Sequence, residues 1–469
     1  MTVFRSWLES LDQRRAVLVE VDYLNGGALG TLYLSNRPFV SGATDTPKST
    51  PYDDVILRGL TYSREMGGQV SGSLGLSVGS VALAASPEIV AASSFEFAGQ
   101  AVRVYLGDQR WPRSDFQLVA VLTAEALEPT NRTEYSLKFR TERLDLNEPL
   151  NLSTFSAGQN VGALKPVCFG QCRNVRPVQV DSAGLVWAVH DGAVSAVNEV
   201  RIDGVPVAAT INLAAGTITL STAPGGTLTA DVTGTGGTTA KSILMEILSR
   251  LGLSVIDSDQ VDSASLDLLP VSEIGLYSRA GIHYRQAFDA ILKTFGGFWG
   301  FTRLNVFKVG LVGRPVGGSS EWLTPDDILL DGVSFDRRIR PASVVNLQYN
   351  QNYTLQDANG YEEAFATSRK ENAGILSVYP DAEPKDAETL LGSSVEADTE
   401  AERRRLFYST PLKTYTVNAF ALPFAYEVGQ EIRLTYPDYQ MSGGVDAVIL
   451  AILDDPLKGV TRLKVLTNG

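Results

Sequence analysis

Alternating hydrophobic and polar positions run through the first 140 residues and predict a series of short β-strands. Two such runs, residues 16–23 and 30–34, flank Asn25-Gly26. That dipeptide favours a tight two-residue turn, because both central positions of the turn need a positive φ. The pattern is typical of a β-sandwich or β-barrel, and it continues at residues 102–106, 116–122 and 134–139.

A shorter alternating block occupies residues 161–207, with turns at Ala183-Gly184 and Asp203-Gly204. We predict a small meander of strands there. A Gly/Thr-rich segment, residues 233–239, follows and is typical of a linker.

The hydrophobic period changes to that of a helix after the linker. Residues 242–251 and 283–295 each place their large apolar side chains on one face, and glycine follows each segment. The aromatic-rich residues 298–310 then predict a β-hairpin that packs on the second helix.

The last third of the chain combines one helix with antiparallel strands. Residues 395–407 predict the helix, with Glu400 and Arg404 one turn apart. The predicted strands lie at residues 412–420, 430–436, 448–453 and 457–466. The fold class is therefore mainly β with α+β parts.

Composition excludes several classes of protein. A chain of 469 residues is too long for one core. The net charge of −13 argues against a nucleic-acid-binding surface, although an acidic channel that lets DNA slide without sticking is compatible with it. We find no signal peptide and no apolar run of roughly 20 residues, so we expect a soluble protein made in the cytoplasm, without stable membrane insertion.

No motif for catalysis, a cofactor or a metal is convincing, so we predict no enzyme activity, no cofactor and no metal site. The glycines of a phosphate-binding loop are missing before Lys241, and residues 257–268 lack the ligands of a calcium loop. Cys168 and Cys172 lie about 13 Å apart on an extended strand, too far for a disulfide, and are expected to be buried. His190-Asp191 lacks a nucleophile motif and is expected to end a strand.

The chain nevertheless resembles one family. The segment Pro166-Val167-Cys168-Phe169-Gly170-Gln171-Cys172, then His190-Asp191-Gly192, then Val205-Pro206-Val207, is similar to the inserted β domain of tail-tip proteins from long-tailed bacteriophages. These are the baseplate-hub proteins that close the tail tube. The similarity extends upstream to residues 104–107 and downstream to residues 403–406.

The resemblance implies a domain organisation. A tail-tube-like β-barrel or sandwich domain would occupy residues 1–160, and a small inserted β domain residues 161–237. An α+β domain with two helices and a hairpin would follow at residues 238–330, and a second tail-tube-like domain at residues 331–469. Two polar segments, residues 41–54 and 380–394, are expected to be loosely ordered until assembly.

The resemblance also implies a function. The protein would be a structural hub at the virion tail tip, assembled in the host cytoplasm as a homotrimer. Its implied partners are the distal tail protein, the tape-measure protein and central fibre or receptor-binding proteins, and genome DNA would pass through its lumen without specific binding. Two alternatives stay open: a hexameric distal tail protein, and a tail-associated cell-wall glycan hydrolase with distant carboxylates.

One candidate interface comes from the residues themselves. Arg403, Arg404 and Arg405 form the densest basic run, and on a helix they spread over most of a turn. We expect one of them to face a neighbouring subunit or an acidic partner, against the alternative of a solvated face.

Overall fold

The computed structural model describes residues 2–10, 12–67, 72–140, 144–356, 362–420 and 422–469. The chain is mainly β, with 44% strand and 13% helix, which confirms the predicted fold class. The sheets are open and none of those described closes into a barrel.

The first part of the chain contributes every strand of one large sheet. Its elements are α1 (Thr2–Leu8), β1 (Arg15–Asn25), β2 (Ala28–Ser35), β3 (Phe39–Val40), β4 (Pro51–Asp54), β5 (Ile56–Gly59), β6 (Tyr62–Met66), β7 (Gly72–Val78), β8 (Val81–Ala84), α2 (Pro87–Ala92), β9 (Ala101–Asp108), a single 3-10 turn (Arg113–Asp115), β10 (Gln117–Asn131) and β11 (Glu134–Arg140).

Nine of these strands form what we call the first sheet, in the order β3-β4-β2-β1-β9-β10-β11-β8-β5. The predicted hairpin is confirmed, because Asn25 pairs with Ala28 across a two-residue loop. Both loop residues, Gly26 and Gly27, have positive φ values of 57° and 90°, as a tight turn requires.

The segment at residues 41–54 is held against the first sheet. It contains the whole of β4, and the backbone N–H of Ser41 donates to the carbonyl of Thr50 at 3.0 Å. The buried carboxylate of Asp45 accepts from the backbone N–H groups of Gly42 and Arg113. The predicted loose order of this segment is therefore wrong, because its polar side chains bond to the fold.

The middle part of the chain carries two small sheets and three helices. Its elements are β12 (Val167–Val175), β13 (Val178–Gln179), β14 (Val186–Ala188), β15 (Ala196–Ile202), β16 (Val205–Pro206), β17 (Thr210–Asn212), β18 (Thr217–Thr219), β19 (Leu228–Thr233), α3 (Ala240–Arg250), α4 (Ser263–Leu266), β20 (Gly275–Ser278), α5 (Tyr284–Thr294), β21 (Gly297–Phe301) and β22 (Phe307–Leu311).

The two predicted helices and the hairpin after them are confirmed. Thr239 caps α3 by accepting from Ser242, and His283 caps α5, so both helices begin where the polar capping residue stands. β21 pairs with β22, as expected for the aromatic segment. The small strands form two sheets, ordered β16-β15-β19-β12-β20 and β13-β14-β18-β17.

The last part of the chain supplies the remaining elements. They are β23 (Trp322–Leu323), β24 (Ile328–Ile339), β25 (Val344–Tyr349), β26 (Ala366–Glu371), α6 (Ile375–Val378), β27 (Lys385–Glu388), α7 (Ser394–Phe407), β28 (Leu412–Phe420), β29 (Glu431–Leu434), β30 (Val445–Asp455) and β31 (Val460–Asn468).

A second large sheet, which we call the last sheet, has strands from all three parts of the chain. Its order is β22-β21-β7-β6-β30-β31-β28-β24, and off this path β29 pairs with β30 and β23 pairs with β29. The hairpin β6-β7 thus leaves the first part of the chain and joins β30 on one side and β21 on the other. The limits of the predicted domains stay a prediction.

The segment at residues 380–394 is also ordered by pairing. It holds β27, which runs parallel to β25 in a three-stranded sheet, β26-β25-β27. Leu391 is buried, and its carbonyl accepts from the backbone N–H of Asn350. The predicted loose order is wrong here as well, because a polar exposed face does not prevent backbone pairing at a sheet edge.

The main hydrophobic core is shared by the first and last parts of the chain. A second core surrounds α3 and α5. A third, smaller core fills the small β unit around β12 and β19.

A buried polar cluster lies where β6 meets the last part of the chain. The guanidinium of Arg64 contacts the carboxylate of Glu427 at 2.6 Å, and both Arg64 and Tyr62 are buried. Asp454 on β30 accepts from the backbone N–H of Phe424 and the hydroxyl of Thr461. We call this set the seam cluster.

Burial raises the pKa of Asp454 to about 6, and its two hydrogen bonds offset this rise only in part. The folded chain therefore holds the proton more tightly than the unfolded chain, whose aspartate titrates near 3.8. This contribution to stability is fully present below pH 3.8 and is lost as the pH rises through 6.

We predict that Asp454→Asn stabilises the protein at pH 8 by about 3 kcal/mol and leaves stability at pH 4 nearly unchanged, because it removes the buried charge and keeps an acceptor. Urea unfolding at both pH values measures this. Asp455→Asn is the control, because it replaces the next acid on the same strand, whose carboxylate accepts from the backbone N–H of Lys458. Equal effects of Asp454→Asn at both pH values would contradict the prediction.

Candidate interaction surface

The three arginines of the basic run lie near the end of α7, and two of them share one buried carboxylate. Glu400 is nearly fully buried and accepts from Nε of Arg403 and Nε of Arg404, each at 2.7 Å. The spacing of three and four residues places these side chains on one helix face, so the single negative charge of Glu400 is shared between two guanidinium groups.

Arg403 and Arg404 also reach the end of α5. Nη2 of Arg404 donates to the carbonyls of Lys293 and Thr294 at 2.8 Å, and Nη2 of Arg403 donates to that of Phe295 at 2.6 Å. The last carbonyls of a helix have no partner within the helix and carry a partial negative charge. The two arginines therefore fasten the end of α7 to the end of α5.

Arg405 faces a different direction. It forms a paired contact with Glu402 at 2.6 and 2.7 Å and donates to the side-chain oxygen of Asn372. The structure thus gives each predicted residue a partner within the chain. The subunit-interface role of these arginines stays a prediction.

A small cavity of about 140 Å³ opens beside Arg403 and Arg404. Its apolar wall includes Val312 and Phe407, which are buried, and its remaining cation is the exposed Lys293. Nη1 of each arginine and Nζ of Lys293 form no hydrogen bond or ion pair with the described residues. We call this the cationic pocket.

A second exposed feature is the outer edge of β24. Among the described strands β24 pairs only with β28, so the other side of this 12-residue strand is open. Two large apolar side chains, Leu330 and Phe335, are 96% and 50% exposed along it. Phe335 stands edge-on to Tyr415, which in turn contacts Tyr439.

His190 is fully buried and serves packing between the small β unit and α3. Its Nδ1 accepts from the backbone N–H of Cys168 at 2.9 Å, and its Nε2 lies 3.1 Å from Asp191. The carboxylate of Asp191 also forms an ion pair with Arg250 and accepts a hydrogen bond from the backbone N–H of Leu152. His190-Asp191, which the sequence predicts to end a strand, is therefore also part of a buried polar cluster with Arg250.

Cys168 and Cys172 are buried and reduced, as expected, but they are not far apart. Gly170 between them has a φ of 68°, which bends β12, so that the thiol of Cys172 lies near that of Cys168 and donates to the carbonyl of Phe169 at 3.5 Å. The expected separation on an extended strand is therefore wrong. Burial raises the pKa of the Cys172 thiol well above its usual value, so it is a poor nucleophile.

The other acidic candidates have local structural partners. Asp262 caps α4 by accepting from Ser265, and Asp257 accepts from Gln260 in the predicted acidic loop. Asp327 accepts from Thr324. Within the described residues no group of three or more His, Cys, Asp or Glu side chains is placed to hold a metal ion.

The described helices include none that is both long and apolar enough to span a bilayer.

Comparison with known proteins gives similar structures and no family. No family model matches the chain, and no curated protein matches it. Among solved structures, a 43 kDa tail protein of prophage MuSo2 from Shewanella oneidensis is 11% identical, with a TM-score of 0.41 over 96% of this chain and 98% of that one.

Two further tail proteins are similar to the same degree. One from Neisseria meningitidis MC58 is 10% identical, with a TM-score of 0.42 over 97% of this chain and 96% of that one. A prophage tail protein from Listeria monocytogenes EGD-e is 10% identical, with a TM-score of 0.45 over 97% and 94%. All these TM-scores lie below 0.5, so the likeness by itself assigns no function to this chain.

Sequence reasoning missed both the pocket and the edge. Lys293 and Val312 lie far from the arginines in the sequence and only the fold brings them together. The edge had a readable signal, because Leu329-Leu330 directly before Asp331-Gly332 places two apolar residues at a turn.

We predict that Glu400→Ala destabilises the protein by about 3–5 kcal/mol, because it leaves Arg403 and Arg404 without their shared buried carboxylate. Glu402→Ala is the matched control: it removes an acid from the same helix that pairs with Arg405 near solvent, and should change stability far less than Glu400→Ala. Chemical unfolding measures both. Similar losses for the two variants would rule out the shared clamp.

A second prediction concerns pH. Burial lowers the pKa of His190 to about 4, so the unfolded chain, with a pKa near 6.5, binds the proton more tightly. The stabilising effect of the neutral ring is fully present above pH 6.5 and about 3 kcal/mol of it is lost as the pH falls to 4. His190→Gln should remove this part of the pH dependence, measured as the difference between the two unfolding curves. Parallel curves would contradict it.

Proposed function

We propose that the chain is a structural protein of a bacteriophage tail, and specifically a hub that forms a trimeric ring at the tail tip. The sequence resemblance described above supports the tail. The ring rests on one observation, the open edge of β24 with its exposed apolar side chains.

That edge is costly in an isolated chain. A long strand with unpaired backbone groups is a template for pairing with another polypeptide, and soluble monomers usually protect it with charges, prolines or short length. β24 is 12 residues long and, although it also carries the exposed charges of Asp336 and Arg338, it exposes Leu330 and Phe335. An edge of this kind is consistent with a surface that a neighbouring subunit covers in the assembled particle.

The two large sheets support three copies in preference to six. Each chain carries one sheet built from its first part and another built mainly from its last part, around one shared core. Three such chains would supply six sheets and so match a sixfold tube above, whereas six chains would supply twelve. The trimer therefore explains why one chain carries two large sheets.

The proposed neighbours follow from this position. The hub would contact the distal tail protein, the end of the tape-measure protein and the central fibre or receptor-binding proteins. The net charge of −13 suits a channel past which DNA slides, because like charges repel the phosphate backbone. No arrangement among the described residues favours an enzyme.

The test is the copy number of the chain in purified particles, measured by quantitative mass spectrometry with isotope-labelled peptides. We expect three copies per tail, with the major tube protein as the internal standard. Six copies would instead indicate a distal tail ring, and many copies a tube subunit. Absence from the particle would overturn the structural role.

A further inference from the structure

The exposed part of β24 is a fixed projection. Ile328 pairs with Ala419, and Val333 pairs with Val417. Between these two pairs β24 advances by five residues and β28 by only two, so β24 contains three additional residues. The backbone between them bulges outward. Gly332 has no room for a side chain, since an added Cβ would lie 2.5 Å from the carbonyl oxygen of Leu329 and 2.8 Å from that of Asn418.

Leu330 and Asp331 form the tip of this bulge, and we call them the knob. Leu330 is 96% exposed, the most exposed of the large apolar residues in the described chain. Asp331 has a φ of 56°, and its carboxylate forms no hydrogen bond or ion pair with the described residues. The chain thus holds an aliphatic side chain and a free carboxylate side by side in solvent.

The cationic pocket has the complementary chemistry. Three cations, Lys293, Arg403 and Arg404, face one carboxylate, Glu400, which leaves an excess of positive charge in a chain whose net charge is −13. Beneath the cations lie the buried side chains of Val312 and Phe407. A ligand for this pocket needs a small apolar group beside an anion.

We propose that the knob of one copy of this chain occupies the cationic pocket of the next copy. Leu330 would pack against Val312 and Phe407, and the carboxylate of Asp331 would bind the free donors of Lys293, Arg403 and Arg404. The contact rests on the proposed function, because it specifies one interface within the ring.

The occupant is another copy because a chain cannot fill its own pocket. The pocket lies next to Phe407, beyond the end where Ile339 pairs with Leu412, and the knob lies at the opposite end of the same strand pair. Eight residues of extended strand separate Asp331 from Ile339, roughly 26 Å. A contact between two different surfaces of identical chains is head-to-tail, and closes into a ring when the rotation allows it.

The test uses the full chain and measures its association constant by sedimentation equilibrium. We expect Leu330→Ser to weaken self-association at least tenfold. Val316→Ser is the matched control, because Val316 is 86% exposed outside the knob and the pocket, and should change association less than twofold. Thermal unfolding of each variant checks that the fold is kept.

Charge reversal separates a specific contact from a general loss of charge balance. Asp331→Lys and Lys293→Glu should each weaken association at least tenfold, and the chain carrying both should recover at least threefold over either alone. Lys458→Glu, at an exposed turn, is the control for Lys293→Glu and should have no effect.

The outcomes distinguish the two proposals. Association that is unchanged by Leu330→Ser and by Asp331→Lys would overturn the knob contact and leave the ring intact. Failure of the double reversal to recover association would also overturn it. A wild-type chain that stays monomeric at 100 µM would overturn the contact, while three copies per particle would still support the hub.

Discussion

The pairing of β6 with β30 is the constraint on which the rest of the structure depends. Glu65 and Ala451 are partners across this ladder although 386 positions separate them in the sequence (451 − 65). On one side the hairpin β6-β7 extends the last sheet, and on the other it receives β21 in parallel. All three parts of the chain are therefore joined through one hairpin, whose pairings with β30 and β21 are long-range contacts.

The buried polar groups at this junction make the joint specific. Arg64 cannot lie in an apolar core without a partner, and Glu427 in the last part of the chain provides it. Asp454 adds a buried carboxyl group to these polar contacts, which together favour one arrangement of β6 against β30. Shared apolar surface gives this region its stability, and the ionic and hydrogen-bonding groups fix its register.

The arginine run shows how one helix end can be fixed within the fold and still keep open hydrogen-bond donors. Glu400 and the carbonyls at the end of α5 occupy some donors of Arg403 and Arg404 and hold both guanidinium groups rigid. Rigid cations lose little side-chain entropy when they bind an anion, so the internal contacts prepare the open donors for a partner. The cationic pocket therefore depends on the same interactions that join α5 and α7.

The sequence by itself determined the local structure of this protein. Alternation predicts many strands of the two large sheets but not β24, Asn25-Gly26 predicts the first hairpin, and apolar periodicity predicts α3 and α5 with their ends. These features depend on neighbours within a few residues. The sequence also showed Glu400 and Arg404 one turn apart. Only the tertiary structure decided that β6 joins β30, that Gly170 bends β12 to bring two thiols together, and that Lys293 and Val312 meet the arginines. These contacts join residues far apart along the chain, and the free energy that selects them comes from burying a shared core, which no local pattern records.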